Sequence, residues 1–357
     1  MKKEKKSALH ISSGTDNPGT FNPELLQKFR RKKHSSEEFI EAIQKGDSVL
    51  LSQAITLVES SKESDQAEAE KIVAACLQHK NNSIRVGITG SPGVGKSTFI
   101  ESFGKMLIEK GHKVAVLAID PSSQLSHGSI LGDKTRMQEL STNSNAYIRP
   151  SAAGDSLGGV ARKTRETIYL CEAAGFDVII IETVGVGQSE TAVHSMVDFF
   201  LLLLLPNAGD ELQGIKRGVV EMADLIAVNK SDGAALAQAK LAKAQYQNAL
   251  HMFPPKIGGW IPSAELCSGL SGTGIEAIWE KIEAYKKQVQ DNNYWQRHRA
   301  EQAKYWMHES ILQHLKDMFY HHQKIKDLLP EIESELIAGK ISSFKAAKLL
   351  LEKFMEY

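Results

Sequence analysis

The sequence predicts an α/β protein with a mainly parallel sheet flanked by helices, and with helical extensions at its N- and C-terminal ends. Three observations carry that reading. Short apolar runs without period-2 alternation recur between helix-length segments, the pattern of strands buried on both faces. Every polar motif falls just past the end of such a run, where open parallel sheets bind ligands. The flanks lack such runs and show helical spacing instead.

Residues 1–22, rich in Lys, Ser, Gly and Asn, read as a loose tail. Residues 23–82 read as a helical extension, with apolar positions Leu25, Leu26, Phe29, then Phe39, Ile40, Ile43, then Val49 to Val58, then Ile72 to Leu77. Gly46-Asp47 and Ser64-Asp65 are the expected breaks between its helices. Residues 83–292 hold the strand runs Ile84–Thr89, Val114–Ile119, Ala146–Ile148, Val178–Ile181, Phe199–Leu205 and Leu225–Val228. Residues 293–357 are charged and periodic, and predict two to four helices with a break at Leu328-Leu329-Pro330.

Of the 357 residues, 42% are hydrophobic and 24% charged, ordinary for a globular chain and too apolar for a disordered one. Forty-three Lys and Arg balance forty-three Asp and Glu, which argues against nucleic acid or an anionic membrane as partner. The longest apolar run, Phe199–Leu205, is far short of the roughly 20 residues of a membrane helix. Cys76, Cys171 and Cys267 lie far apart, so neither a disulfide framework nor a Cys-based zinc site is expected. The basic start, Met1 to Lys6, has no apolar segment behind it and does not read as a secretory signal. A cytoplasmic location is the expectation.

The run Gly90-Ser91-Pro92-Gly93-Val94-Gly95-Lys96-Ser97, followed by Thr98, fits G-x-x-x-x-G-K-[ST] with a strand before it and a helix after. Glycines let backbone N–H groups turn inward around phosphate oxygens, and the helix N-terminus adds partial positive charge. Lys96 would reach the β- and γ-phosphates, and the Ser97 hydroxyl would ligate Mg²⁺. A P-loop NTPase fold follows.

The last strand run ends in Asn229-Lys230-Ser231-Asp232. A carboxylate beside guanine accepts from N1 and the exocyclic 2-amino group, a donor that adenine lacks. Asp232 is the candidate for that contact, Lys230 for packing along the ring and Asn229 for tying the loop to the phosphate cradle. GTP and GDP are therefore expected rather than ATP. A helix cap is the competing role for Asp232. Backbone N–H groups of Ser268, Gly269 and Leu270 are placed to meet guanine O6, with a plain Ser/Gly loop as the alternative.

Val178–Ile181 runs into Glu182-Thr-Val-Gly185-Val-Gly-Gln188, which resembles the D-x-x-G element of GTPases with Glu in place of Asp. Glu182 would hold Mg²⁺, the Gly185 amide would meet the γ-phosphate, and Gln188 would orient the attacking water or simply start a helix. Asp120 and Asp133 are further candidates for the Mg²⁺ shell, against a turn role before Pro121 and a helix cap respectively. Pro206 to Lys216 is a polar loop at a strand end, either a connector or a nucleotide-sensing element.

Taken together, the chain resembles the methylmalonyl-CoA mutase-associated GTPases of the MeaB/ArgK type, relatives of the metallochaperone GTPases. The likeness runs from about Val86 to Gly274. It is carried by Gly90–Thr98, Ile119–Ser123, Gly128–Met137, Glu182–Glu190, Gly209–Lys216 and Asn229–Asp232. It implies a GTPase chaperone of a cobalamin-dependent acyl-CoA mutase, gating adenosylcobalamin loading and protecting or reactivating the mutase. It also implies a C-terminal arm that forms a homodimer. Asp120 and Asp133 would lie in a first switch, Glu182–Glu190 in a second, and Asp210, Glu211 and Lys216 in a third. Lys96, Glu182 and Gln188 would carry hydrolysis, slow without a partner because no arginine finger can be assigned in cis. Where the family commonly has Ser-Ala after Cys, this chain has Ser268-Gly269, so base contact there is expected from backbone alone. The segment Tyr294–Arg299, aromatic and basic, would contact the client or the second protomer.

Three other classes compete. A metallochaperone GTPase usually carries a His-rich tract or paired cysteines, and His321-His322 is the one adjacent pair. An ATP-dependent kinase linked to transport is opposed by Asp232. A dimeric adaptor that binds nucleotide without turning it over is opposed by Lys96, Ser97 and Glu182.

Overall fold

The computed structural model describes residues 34–79, 82–119, 137–150, 157–183, 189–206 and 217–355. Ser36–Tyr357 form one compact unit. Its described strands are β1 (Ile84–Gly90), β2 (Val114–Ile119), β3 (Ala146–Arg149), β4 (Val178–Thr183), β5 (Phe199–Leu204), β6 (Leu225–Val228) and β7 (Ser263–Leu266). They make one sheet of order β3-β2-β4-β1-β5-β6-β7, and every pairing is parallel. β1, β5 and β6 are buried at every position, which explains their unbroken apolar runs. β7 was not expected: Ser-Ala-Glu-Leu is short and half polar, and it sits at a sheet edge where only Ala264 is buried.

Helices α1 (Ser36–Gln44), α2 (Ser48–Glu59) and α3 (Glu63–Cys76) precede the sheet. The break at Gly46-Asp47 stands where the sequence places it: the Asp47 carboxylate caps α2 by accepting from the Val49 and Leu50 amides at 2.8 and 3.0 Å. The second break lies earlier than Ser64-Asp65. Extended backbone at Ser60 and Lys62 ends α2, and both predicted break residues fall inside the first turn of α3. Acidic Glu63 and Asp65 suit that turn because they face the helix's positive end. The predicted helix around Leu25–Phe29 lies outside the described residues.

Between the strands run α4 (Lys96–Glu109), α5 (Gln138–Thr142), α6 (Leu157–Ala173), α7 (Ser189–His194), α8 (Arg217–Met222), α9 (Leu236–Leu250) and α10 (Ile275–Asp291). Side-chain alternation splits the core across the sheet. Ile179, Ile181 and Phe200 pack with α1–α3 and α6, while Val178, Ile180 and Phe199 pack with Phe103 of α4 and Trp279 of α10. No described helix is long and apolar enough to cross a membrane.

The chain ends in α11 (Tyr294–His321), α12 (Gln323–Ile337) and α13 (Ser343–Met355). Pro330 does not break α12 but lies inside it. It removes one N–H from the ladder, a cost of about 3 kcal/mol in a helix interior. Burial of Ile325 and Ile332, on either side of it, against Ala346 and Leu350 of α13 outweighs that cost.

The first half of α11 is fastened to the sheet. Arg299 Nε and Nη2 donate to the Asp198 carboxylate at 2.8 and 2.6 Å, Gln302 Nε2 donates to Val197 O at 2.7 Å, and Trp306 Nε1 donates to Ser195 O at 3.2 Å. Arg299 also lies 4.5 Å from the centroid of Trp295. The segment Tyr294–Arg299, expected to face a client or second protomer, thus spends Trp295 and Arg299 on its own chain. Burial of Asp198 demands it: desolvation pushes that carboxyl up, but Arg299 and Arg85 outweigh it and hold it below its ordinary value.

Candidate functional site

β1 ends at Gly90, the loop 91–95 follows, and α4 starts at Lys96, so the loop sits at the carboxyl end of the central strand. Gly95 has φ +95°, and a Cβ there would stand 2.9 Å from Asn229 Nδ2; only glycine lets the two loops meet. Lys96 is buried, and its ammonium donates to Gly90 O at 2.8 Å and Ser91 O at 3.3 Å. Burial lowers its pKa, while the carboxylates of Glu182 and Glu190 act to raise it. The Ser91 hydroxyl is buried with no partner among the described residues, a polar atom left over inside the loop. Pro92, Gly93 and Thr98 are exposed and Ser97 half-buried, so the mouth of the loop is open.

Glu182 stands in β4 opposite Ile88 of β1 and Ala118 of β2. One residue on, Thr183 Oγ1 donates to Thr89 Oγ1 at 2.8 Å, locking the ends of the two strands together. No reading of the sequence singled out either threonine, since a Thr in a strand run is ordinary β composition. The Ser97 hydroxyl, in the first turn of α4, and the Glu182 carboxylate, near the carboxyl end of β4, are hard oxygen donors, the set that suits Mg²⁺. Among the described residues no three His, Cys, Asp or Glu side chains converge as a metal site. Asp120, Asp133, Gly185, Gln188, Asp210, Glu211 and Lys216 lie outside the described residues.

The base loop follows β6. Asn229 is buried and bridges three segments: Nδ2 donates to Val94 O at 2.9 Å, and Oδ1 accepts the Gly269 N–H at 2.9 Å and the Cys267 thiol at 3.6 Å. Lys230, at φ +58°, donates to Gly93 O at 2.9 Å, so its stem lies along the same loop. Asp232 occupies the N-cap position of the short 3₁₀ turn Gly233–Ala235, yet its side chain makes no cap bond. It accepts from the Ser268 hydroxyl instead. The Ser268 amide is held by Thr273 O at 2.9 Å and the Gly269 amide by Asn229. Of the three amides expected to face the base, only that of Leu270 makes no hydrogen bond among the described residues, and Leu270 is exposed.

A parallel sheet with a lysine-bearing phosphate loop after its central strand, closed by an Asn-Lys-x-Asp loop two strands away, defines a P-loop GTPase. The model of the family described as methylmalonyl Co-A mutase-associated GTPase MeaB matches residues 51–324, and the chain belongs to that family. It is 46% identical to the mouse methylmalonic aciduria type A homolog, mitochondrial, over 87% of this chain and 77% of the mouse protein. It is 45% identical to the GTPase ArgK of Escherichia coli over 78% of this chain and 85% of that protein. The crystal structure of LAO/AO transport system kinase superposes with a TM-score of 0.71 at 34% identity, covering 90% of this chain and 98% of that one.

Proposed function

We propose that the protein is a GTP-hydrolysing chaperone of a cobalamin-dependent acyl-CoA mutase, which gates adenosylcobalamin loading and protects or reactivates the mutase. One observation carries the reading: the match to the mutase-associated family spans 51–324 and so takes in the whole nucleotide site and all of α11. In this reading residues 83–292 are the GTPase unit and 293–357 the dimer arm, after a helical extension over 23–82. The phosphate loop cradles the β- and γ-phosphates, Lys96 turns from Gly90 O and Ser91 O toward them, and Asp232 reads the guanine edge. Ser97 and Glu182, joined by Asp120 and Asp133, would hold Mg²⁺, which screens charge on the phosphates. Gly185 and Gln188 serve the γ-phosphate and the attacking water. Asp210, Glu211 and Lys216 report the nucleotide state to the client.

Homodimerisation is supported by the exposed face of α11, where Tyr305, Met307, Ile311, Leu312 and Leu315 stand about half exposed or more. To test the client, GTP hydrolysis is measured with and without purified methylmalonyl-CoA and isobutyryl-CoA mutases. At least one should raise the rate roughly tenfold or more, as partner activation does for other GTPases, and bind in a nucleotide-dependent manner. Unchanged hydrolysis and no complex with any of these mutases overturns the chaperone reading while leaving the GTPase intact.

The likeness to the LAO/AO transport system kinase favours a second reading, transfer of the γ-phosphate to a protein or small molecule. Release of inorganic phosphate equal to the GDP formed argues against it; a labelled acceptor would establish it.

A further inference from the structure

β1 leads into the phosphate loop and β4 carries Glu182, and the main-chain pairing of these two strands ends at Ile88 opposite Glu182. Beyond that level each strand goes on pairing with its other neighbour: β1 with β5 as far as Gly90 opposite Leu203, and β4 with β2 as far as Thr183 opposite Ile119. The bond from Thr183 Oγ1 to Thr89 Oγ1, at 2.8 Å, ties β4 to β1 at the next position. Both threonines are buried, 0% and 1% exposed, so bulk solvent does not compete for that bond. Successive side chains of a strand point to opposite faces. Thr183 therefore shares a face with Ile179 and Ile181, whose core includes Cys171 of α6 and Val193 of α7. Glu182 shares the other face with Val178 and Ile180, whose core includes Phe103 of α4. Ser97 lies in the first turn of that same helix. The hydroxyl pair thus holds, from behind, the strand end from which Glu182 faces α4.

We propose that Thr89 and Thr183 are positioning residues for GTP hydrolysis, their hydroxyl pair fixing how far the Glu182 carboxylate stands from the phosphate loop and from Ser97. This rests on the reading that Glu182 and Ser97 hold Mg²⁺. Distance gives the bond its leverage. Two hydroxyl oxygens meet at about 2.8 Å, whereas a methyl group in place of either settles at about 3.5–4.0 Å, so valine at one position parts the strand ends by roughly 1 Å. A misplacement of that size costs up to about a hundredfold in rate. The octahedral geometry that Mg²⁺ demands is as intolerant of it.

The test uses the full chain, GTP, and a fluorescent GTP analogue that cannot be hydrolysed. Thr183→Val and Thr89→Val each remove one hydroxyl and keep a β-branched side chain. In either, the hydrolysis rate at saturating GTP should fall about tenfold to a hundredfold. The Mg²⁺ concentration that half-maximally tightens analogue binding should rise about tenfold, while affinity for the analogue in EDTA stays within twofold of native. The double variant should be no worse than the poorer single one, because both lose the same bond. Thr183→Ser retains the hydroxyl and should recover most of the rate and of the Mg²⁺ response. Valine variants within twofold of native in rate and Mg²⁺ requirement overturn the proposal. So does a Thr183→Ser protein as impaired as Thr183→Val, or a loss of EDTA binding in step with the rate, since either marks a packing role alone. Glu182→Gln separates the layers. If it leaves the Mg²⁺ requirement unchanged, the metal reading falls; if it raises that requirement while the valine variants do not, only the role of the threonines falls.

Discussion

Asp232 shows how far one side chain can be read. From sequence it is either a guanine contact or a helix cap; in the structure its carboxylate makes no cap bond to the turn it precedes and accepts from the Ser268 hydroxyl. Asp232→Asn should lower GTP affinity and raise affinity for xanthosine triphosphate, whose 2-oxo group replaces the amino donor; a competition assay reads the switch. His194 and Asp224 were beyond sequence reasoning, because only packing reveals them. Burial, then Lys256 and His298, push His194 from 6.5 down to about 4. Burial pushes Asp224 from 3.8 up to about 6 against the pull of Lys256 and of the Phe200 N–H, which it accepts at 2.8 Å. His194 stays neutral in the folded state, so its contribution is lost as pH falls from 6.5 toward 4. Asp224 stays protonated in the folded state up to about 6, so its contribution is lost as pH rises from 3.8 toward 6. Each is worth up to about 3 kcal/mol, and the two nearly cancel. Single variants should expose opposite slopes in urea midpoints between pH 4 and 6.5: Asp224→Asn more stable as pH rises, His194→Phe less.

Elements were legible where burial is two-sided. Leu225–Val228 and Val114–Ile119 come out with the predicted bounds, because a strand covered on both faces must be apolar throughout. β7 was hidden for the converse reason, since an edge strand keeps polar residues. Pro330 misled because a local rule was overridden by packing of Ile325 and Ile332. That conflict makes a prediction. Pro330 is exposed, so Pro330→Ala restores a helix hydrogen bond without touching the core and should raise unfolding free energy by about 1–3 kcal/mol in denaturant titration. The reach of Asn229 to Val94 was readable, because the motif pairs an amide with a loop of free carbonyls. The capture of the Gly269 amide by the same side chain was not, because it depends on how closely β6 and β7 bring their loops together.

For the whole molecule, the family was legible from motifs clustered at strand ends, whereas the arm's attachment was not, because a helical period does not say which face meets what. The dimer reading assigns the exposed face of α11 a function that can be checked. Leu312→Glu with Leu315→Glu should halve the mass seen by light scattering while GDP affinity stays unchanged. The fastening of α11 also divides that helix in time. Arg299, Gln302 and Trp306 tie its first half to the residues leading into β5, so those amides can open only when the sheet itself comes apart. In hydrogen exchange they should be protected to nearly the same degree as β5, whereas amides beyond about Ser310 should exchange through local fraying, orders of magnitude sooner. One continuous helix would then belong to two cooperative units, with the boundary set by three side-chain bonds rather than by any bend in its backbone.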